Sequence, residues 1–243
     1  MTGVQTCALP ISKAVYVENT YIYVLLRAYY FILLLIPFSF FSQEKNHPFN
    51  MLVMAGVSPS QVHGDPYDGY HKLGGIAGIG IESVFNKKVS MNLSFLFIQK
   101  GAKKNQNIEK FDYTAYYLNL NYLEVPLLVN YTYKKFMLDI GVSAAYLINY
   151  YEGNEYGNQT GNHPFQKFDY SVKIGLGYNL NENWFVNFRS SNSFITIRPN
   201  YTNQYIYFNN IIARTFNKGY YNNILEFTLG YRIRPYKQHA TKT

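Results

Sequence analysis

The chain has 243 residues and a formal net charge of +8, with 48% hydrophobic, 19% aromatic and only 15% charged residues. That length suits one domain or two small ones, and so many aromatics with so little charge exclude wholesale disorder. A single cysteine, Cys7, excludes a disulfide framework and a cysteine zinc site. The basic residues are scattered, never clustered beyond pairs such as Lys87-Lys88, Lys103-Lys104 and Lys134-Lys135, which argues against a nucleic-acid partner.

The opening MTGVQTCALPIS (1–12) resembles an in-frame translation of a common sequencing adapter, and is set apart from fold reasoning. Residues 13–42 read as an upstream extension and a signal peptide. Arg27 precedes the apolar run AYYFILLLIPFSFF (28–41), and Ser42 and a polar segment follow. The rival reading, an anchor helix over 22–41, needs Arg27 inside the span, which is costly. The domain expected after cleavage is 43–243.

From there on, period-two alternation prevails and no sustained helical period occurs. Strands are expected at about 49–58, 73–84, 89–100, 116–131, 136–149, 168–180, 184–197 and 221–233. In 168–180, Tyr170, Val172, Ile174, Leu176 and Tyr178 share one face, and Asp169, Ser171, Lys173, Gly175 and Gly177 share the other. Tyr and Phe, the commonest aromatics here, favour such strands. The connections alternate between short (85–88, 132–135, 181–183) and long (59–72, 101–115, 150–167, 198–220). A transmembrane barrel has that pattern. The expected fold is therefore all-β, an eight-stranded antiparallel up-and-down transmembrane β-barrel.

Alternation alone leaves the outward face open, because a soluble lipocalin-like barrel alternates too. Three features favour the membrane. Gly and Ser crowd the polar face (Gly78, Gly80, Ser94, Gly141, Ser143, Gly175, Gly177, Gly230), as a narrow lumen requires. Aromatics gather near strand ends (Tyr131, Tyr133, Tyr150, Tyr151, Trp184, Tyr231), as in interfacial girdles. Connection lengths alternate. Pro126 falls inside a strand of a closed sheet, where a missing N–H has no free edge to face. A bulge near 121–126 is expected there.

The segments LSFLFIQKGAKK (93–104), NYLEVPLLVNY (121–131), IGLGYNL (174–180) and LEFTLGYRI (225–233) resemble the PorT-like "porin family" outer-membrane β-barrel proteins of Bacteroidetes. The resemblance spans roughly 49–233. It implies an eight-stranded barrel in the Gram-negative outer membrane, reached by export. It implies no single activity, although one branch of that family takes part in type IX secretion.

The charges expected in the lumen are Glu82, Glu124, Asp139, Asp169, Lys173, Arg189, Glu226 and Arg232. They either pair into a structural plug or line an ion path, and the narrowness of an eight-stranded interior favours the plug. Loop cations Lys103, Lys104, Lys110, Arg198, Arg214 and Lys218 are expected to face lipopolysaccharide phosphates. Loop tyrosines Tyr67, Tyr70, Tyr156, Tyr201, Tyr205 and Tyr207 suit a contact surface. No nucleophile–base–orienter cluster is legible. His63, Asp65 and His71 share one loop without metal-pair spacing, and GGIAGIG (74–80) opens no helix. No catalytic residue, metal or cofactor is expected. The expected function is a non-enzymatic structural or surface-interaction protein of the envelope. Its expected partners are outer-membrane lipid, lipopolysaccharide and, during insertion, the barrel-assembly machinery. A narrow porin or a type IX secretion accessory is the alternative.

Overall fold

A computed structural model describes residues 49–65, 69–161, 163–199 and 219–234. The expected adapter and signal segments lie outside these residues, as do Arg214, Lys218, Tyr67, Tyr201, Tyr205 and Tyr207. The described residues form ten strands: β1 (Phe49–His63), β2 (Lys72–Val84), β3 (Val89–Lys104), β4 (Tyr116–Tyr133), β5 (Phe136–Asn154), β6 (Gly157–Asn158), β7 (Phe168–Asn179), β8 (Trp184–Ser193), β9 (Arg198–Pro199) and β10 (Gly219–Ile233). Two-residue β6 and β9 pair only with β5 and β10. The other eight form an antiparallel ring in the order β1-β2-β3-β4-β5-β7-β8-β10, and β10 closes it by pairing with β1.

Apolar side chains point out of this ring. Phe95, Leu176, Ile140 and Ile174 are among the most exposed hydrophobic residues, all more than half exposed. The charged residues at the alternate positions point in and are buried. A water-soluble barrel would reverse this, because exposed apolar area costs about 25 cal/mol per Å² in water. Two aromatic belts flank the apolar band. At the short-turn end Trp184 meets Tyr231 edge-on at 4.9 Å and Phe136 meets Tyr178 at 5.2 Å. Towards the long loops Tyr146 meets Phe168 at 5.5 Å and Tyr117 meets Tyr151 at 6.1 Å. Strand β7 carries Tyr170 near one belt and Tyr178 in the other. That separation is roughly 26 Å along the strand, or about 20 Å of height at a barrel tilt of about 40°, most of the apolar band of an outer-membrane barrel.

Several strands outrun their expected ends towards the long loops: β1 to His63, β3 to Lys104 and β5 to Asn154. In β1 the pairing with β10 skips Ser58 and Pro59, while Pro59 still stands opposite Leu73 of β2. The amide that proline lacks therefore costs a contact on one side only. Pro126 is accommodated in the same manner. It pairs with Ser143 of β5, while pairing with β3 lapses between Leu93/Leu127 and Leu96/Glu124. The bulge expected near 121–126 is present at that level but not in β4 itself, whose even-numbered residues from 118 to 130 all face inward. The register shift falls opposite Asn121/Tyr122, and the extra residue is Ile148 of β5. Odd-numbered residues of β5 face in up to Leu147, and even-numbered ones, Tyr150 and Glu152, turn in after it. Tyr150 thus leaves the girdle expected of it and packs edge-on against Phe165 at 5.1 Å.

Gly101, at φ +143, sits where the backbone of β3 presses on β4. A Cβ there would lie 2.0 Å from the Leu118 carbonyl oxygen. This accounts for the glycine in the QKGAK block.

Candidate functional site

The interior is filled, and inward-facing positions supply both the polar and the apolar parts of the filling. Leu52, Met54, Leu96, Met137 and Phe185 are buried, and Ile98, Leu118, Leu120 and Ile224 are fully so. Apolar layers therefore alternate with charge, a feature the alternation pattern hid because β3 is apolar on both faces there and β4 turns Leu118 and Leu120 inward with Asn119 and Asn121 outward.

Small residues make this filling possible. A Cβ on Gly175 would lie 2.4 Å from Arg189 Cγ, one on Gly177 2.2 Å from the Asn187 side-chain amide, and one on Gly230 2.1 Å from Phe185 Cζ. Each glycine lets a large side chain from the adjacent strand lie across it.

The structure buries all eight of the residues singled out for the lumen and brings them into three groups. At the short-turn end Arg232 Nε lies 2.7 Å from Glu82, which also accepts from Asn50 Nδ2 at 3.0 Å and Ser90 Oγ at 3.0 Å. Next, Arg189 donates from Nε to Asp139 at 2.8 Å. In the third group Lys173 bridges Glu226 and Glu124. Glu124 is also 2.8 Å from Lys100, which reaches Asp169 at 3.0 Å. Asp169 further accepts from Ser193 Oγ at 2.6 Å and Asn222 Nδ2 at 2.8 Å. Five residues from four strands thus make one continuous chain of ion pairs across the barrel. Each is 1% exposed or less.

Sequence reasoning missed four members of the interior: Lys72, Lys100, Glu152 and Arg198, all buried. Lys100 continues the inward parity of Asn92 and Ser94 along β3, so that signal was present in the pattern. Lys72 continues the parity of Glu82 once β2 is extended by one residue. Glu152 was hidden by the bulge at Ile148. The eight expected charges comprise five acids and three bases. With the four additions the buried set among the described residues holds six of each, and their charges cancel.

Arg198 is the correction among the loop cations. It is only 5% exposed, and its guanidinium grips Glu152 with contacts of 2.9 and 2.5 Å. It also lies 3.6 Å over the Phe165 ring. Burial against an aromatic face and a forked carboxylate contact hold it inside the long-loop end, away from any lipid phosphate. Of the others, Lys103 and Lys104 are half-buried, and Lys110 is exposed on a short 3-10 turn (Ile108–Lys110). Lys104 is 2.8 Å from Asp112. Asp112 lies in the β3–β4 loop, and hydrogen bonds from Lys104 and the Thr114 amide hold its carboxyl down at about 2.

Of the loop residues, Tyr70 donates to Asn223 Oδ1 at 2.7 Å, and His63 Nε2 is 3.0 Å from Asn223 Nδ2. These join the β1–β2 loop to β10. Tyr156 is 84% exposed.

The similarity to known proteins agrees with this geometry. No curated protein matches the sequence. Among solved structures, Ail, the attachment invasion locus protein of Yersinia pestis, in complex with the heparin analogue sucrose octasulfate, is similar at 12% identity and a TM-score of 0.43. That alignment covers 76% of this chain and 99% of Ail. Neisserial surface protein A is similar at 8% identity and a TM-score of 0.42, covering 75% and 96%. OprG from Pseudomonas aeruginosa is similar at 11% identity and a TM-score of 0.33, covering 79% and 99%. Residues 41–197, well over half of the chain, match the family described as "Outer membrane protein beta-barrel domain". The chain belongs to that family, and it is a small outer-membrane β-barrel.

Proposed function

We propose that this barrel is a non-enzymatic structural or surface-interaction protein of the envelope, with its lumen closed by its own side chains. The observation that carries the reading is the ion-pair chain Asp169–Lys100–Glu124–Lys173–Glu226. An ion entering the lumen has to displace charges that already satisfy one another, with fully buried Leu118, Leu120 and Tyr122 on the same inner wall. Function then belongs to the membrane-facing surface and the two ends. Assignment to the PorT-like proteins of Bacteroidetes is part of this proposal and rests on the sequence blocks. Export through a signal peptide and insertion by the barrel-assembly machinery follow from the same reading. Lys103, Lys104, Lys110, Arg214 and Lys218 are proposed to meet lipopolysaccharide phosphates.

Single-channel recording of the chain refolded into a planar bilayer tests the plug. Silence from protein whose heat-shifted gel mobility shows it to be folded is the expected result. Reproducible current steps that change with Arg189→Ala or Glu226→Ala would overturn it in favour of a narrow porin.

A further inference from the structure

The short-turn end of the barrel is a basic cup. A cavity of about 990 Å³ opens there, with Glu82 and Arg232 among the residues that line it. Six cations line it against two acids, Glu82 and Glu182. Both acids are spoken for: Arg232 holds Glu82 at 2.7 Å and Arg234 holds Glu182 at 2.9 Å. Lys87, Lys88, Lys134 and Lys135 remain, exposed and without an ion-pair partner among the described residues.

The rim is built rather than loose. The Thr132 amide donates to the Lys88 carbonyl at 2.6 Å, and the Asn179 amide donates to the Lys135 carbonyl at 2.8 Å. The turns are thereby stitched to neighbouring strands. Asn86 Oδ1 accepts from the amides of Lys88 and Val89 and fixes the turn that presents Lys87 and Lys88. Lys134 and Lys135 lie over the rings of Tyr133 and Tyr178 at 5.6 and 6.0 Å. Lys134 takes a left-handed conformation, φ +56, where asparagine or glycine fits a hairpin turn at less cost. A concave surface lined by one sign of charge concentrates counter-ions of the other sign.

We propose that this cup receives an acidic peptide segment of a periplasmic partner. Short turns face the periplasm in outer-membrane barrels. The cavity has the size of a ligand pocket. Its floor is the Glu82–Arg232 pair at the end of the lumen, so it opens along the barrel axis, whereas inner-leaflet headgroups surround the outer wall. Residues 235–243 contain lysines and no acidic side chain.

The test uses the full chain in nanodiscs and a fluorescent oligo-aspartate peptide followed by anisotropy. The expected result in zwitterionic phosphatidylcholine discs is saturable binding that weakens as salt rises from about 0.05 M to about 0.5 M. The combined variant Lys87→Gln, Lys88→Gln, Lys134→Asn, Lys135→Asn is expected to lose at least about tenfold in affinity. Lys134→Asn alone relieves the turn, keeps the fold and weakens binding by about twofold or more. Lys110→Gln at the opposite end leaves binding unchanged. Absence of binding in these discs, or binding that survives the combined variant, overturns the proposal. So does loss of peptide binding when anionic phosphatidylglycerol is added to the discs, which assigns the lysines to lipid headgroups instead.

Discussion

Arg198 and Glu152 show what a buried pair demands of single side chains. Removing one partner strands the other, which costs about 3–5 kcal/mol, whereas replacing both with apolar residues is close to neutral. Arg198→Met leaves Glu152 with the Tyr116 hydroxyl, which donates at 2.8 Å, as its remaining side-chain hydrogen-bond donor. The expected loss for this variant is about 3 kcal/mol, with most of it recovered in Arg198→Met/Glu152→Leu. Urea unfolding from lipid vesicles, followed through the single tryptophan, Trp184, measures both. Equal losses for the single and double variants would refute the pairing argument. Asp112 supplies a pH-dependent case. Its folded carboxyl titrates at about 2 against an ordinary 3.8. Because the folded value is depressed, the loop pair contributes fully above the ordinary range and its contribution disappears as pH falls through about 2. Carboxyl chemical shifts read this midpoint, and Lys104→Gln is expected to move it back towards 3.8.

At the scale of the strand, parity decides everything. A one-residue slip exchanges the lipid face for the lumen face. Ile148 is the one extra residue in β5 opposite Asn121/Tyr122. Deleting it restores an unbroken register while Leu147 and Glu152 both still face inward. Deleting Val142 instead inverts residues 143–147, sending Ser143 to lipid and Tyr146 into a filled lumen. The expected outcome is that the Ile148 deletion keeps native heat-shifted gel mobility and the Val142 deletion abolishes it. Failure of both would mean that the added twist of the bulge is itself required for closure. Four of the eight lumen charges, Glu82, Asp169, Lys173 and Arg189, were named from strands whose alternation is clean along their length. Lys100, by contrast, is the last residue of its expected strand and follows apolar Leu96 and Ile98 on the inward face, so its neighbours on that face gave no sign of a polar lumen.

The whole molecule inverts the usual arrangement of a folded domain, with apolar residues outside and charge inside. Its stability therefore depends on lipid depth. Ile140 stands between the two aromatic belts, opposite Val129 and Ile174, and is 54% exposed. Ile140→Arg is expected to cost about 2–4 kcal/mol in vesicle unfolding, whereas Tyr133→Arg at the short-turn rim is expected to cost about 1 kcal/mol or less. Equal costs at the two depths would place the bilayer elsewhere on the barrel. Among the described residues six buried acids balance six buried bases, so their positive excess lies on the ends and loops.

Strand number, order and antiparallel direction were determined by the sequence alone, because side-chain alternation and alternating connection lengths are local properties of the chain. So was the placing of charge on one face of each strand. Which inward residues meet was decided only by closure of the sheet. Lys100 and Asp169, or Arg198 and Glu152, are far apart along the chain, and the stagger of β3 and β7, and of β5 and the β10-paired β9, sets their distance. The bulge at Ile148 and the burial of Arg198 belong to the same class. Each depends on how much space remains in a lumen that glycines on neighbouring strands have shaped, and no local pattern records that space.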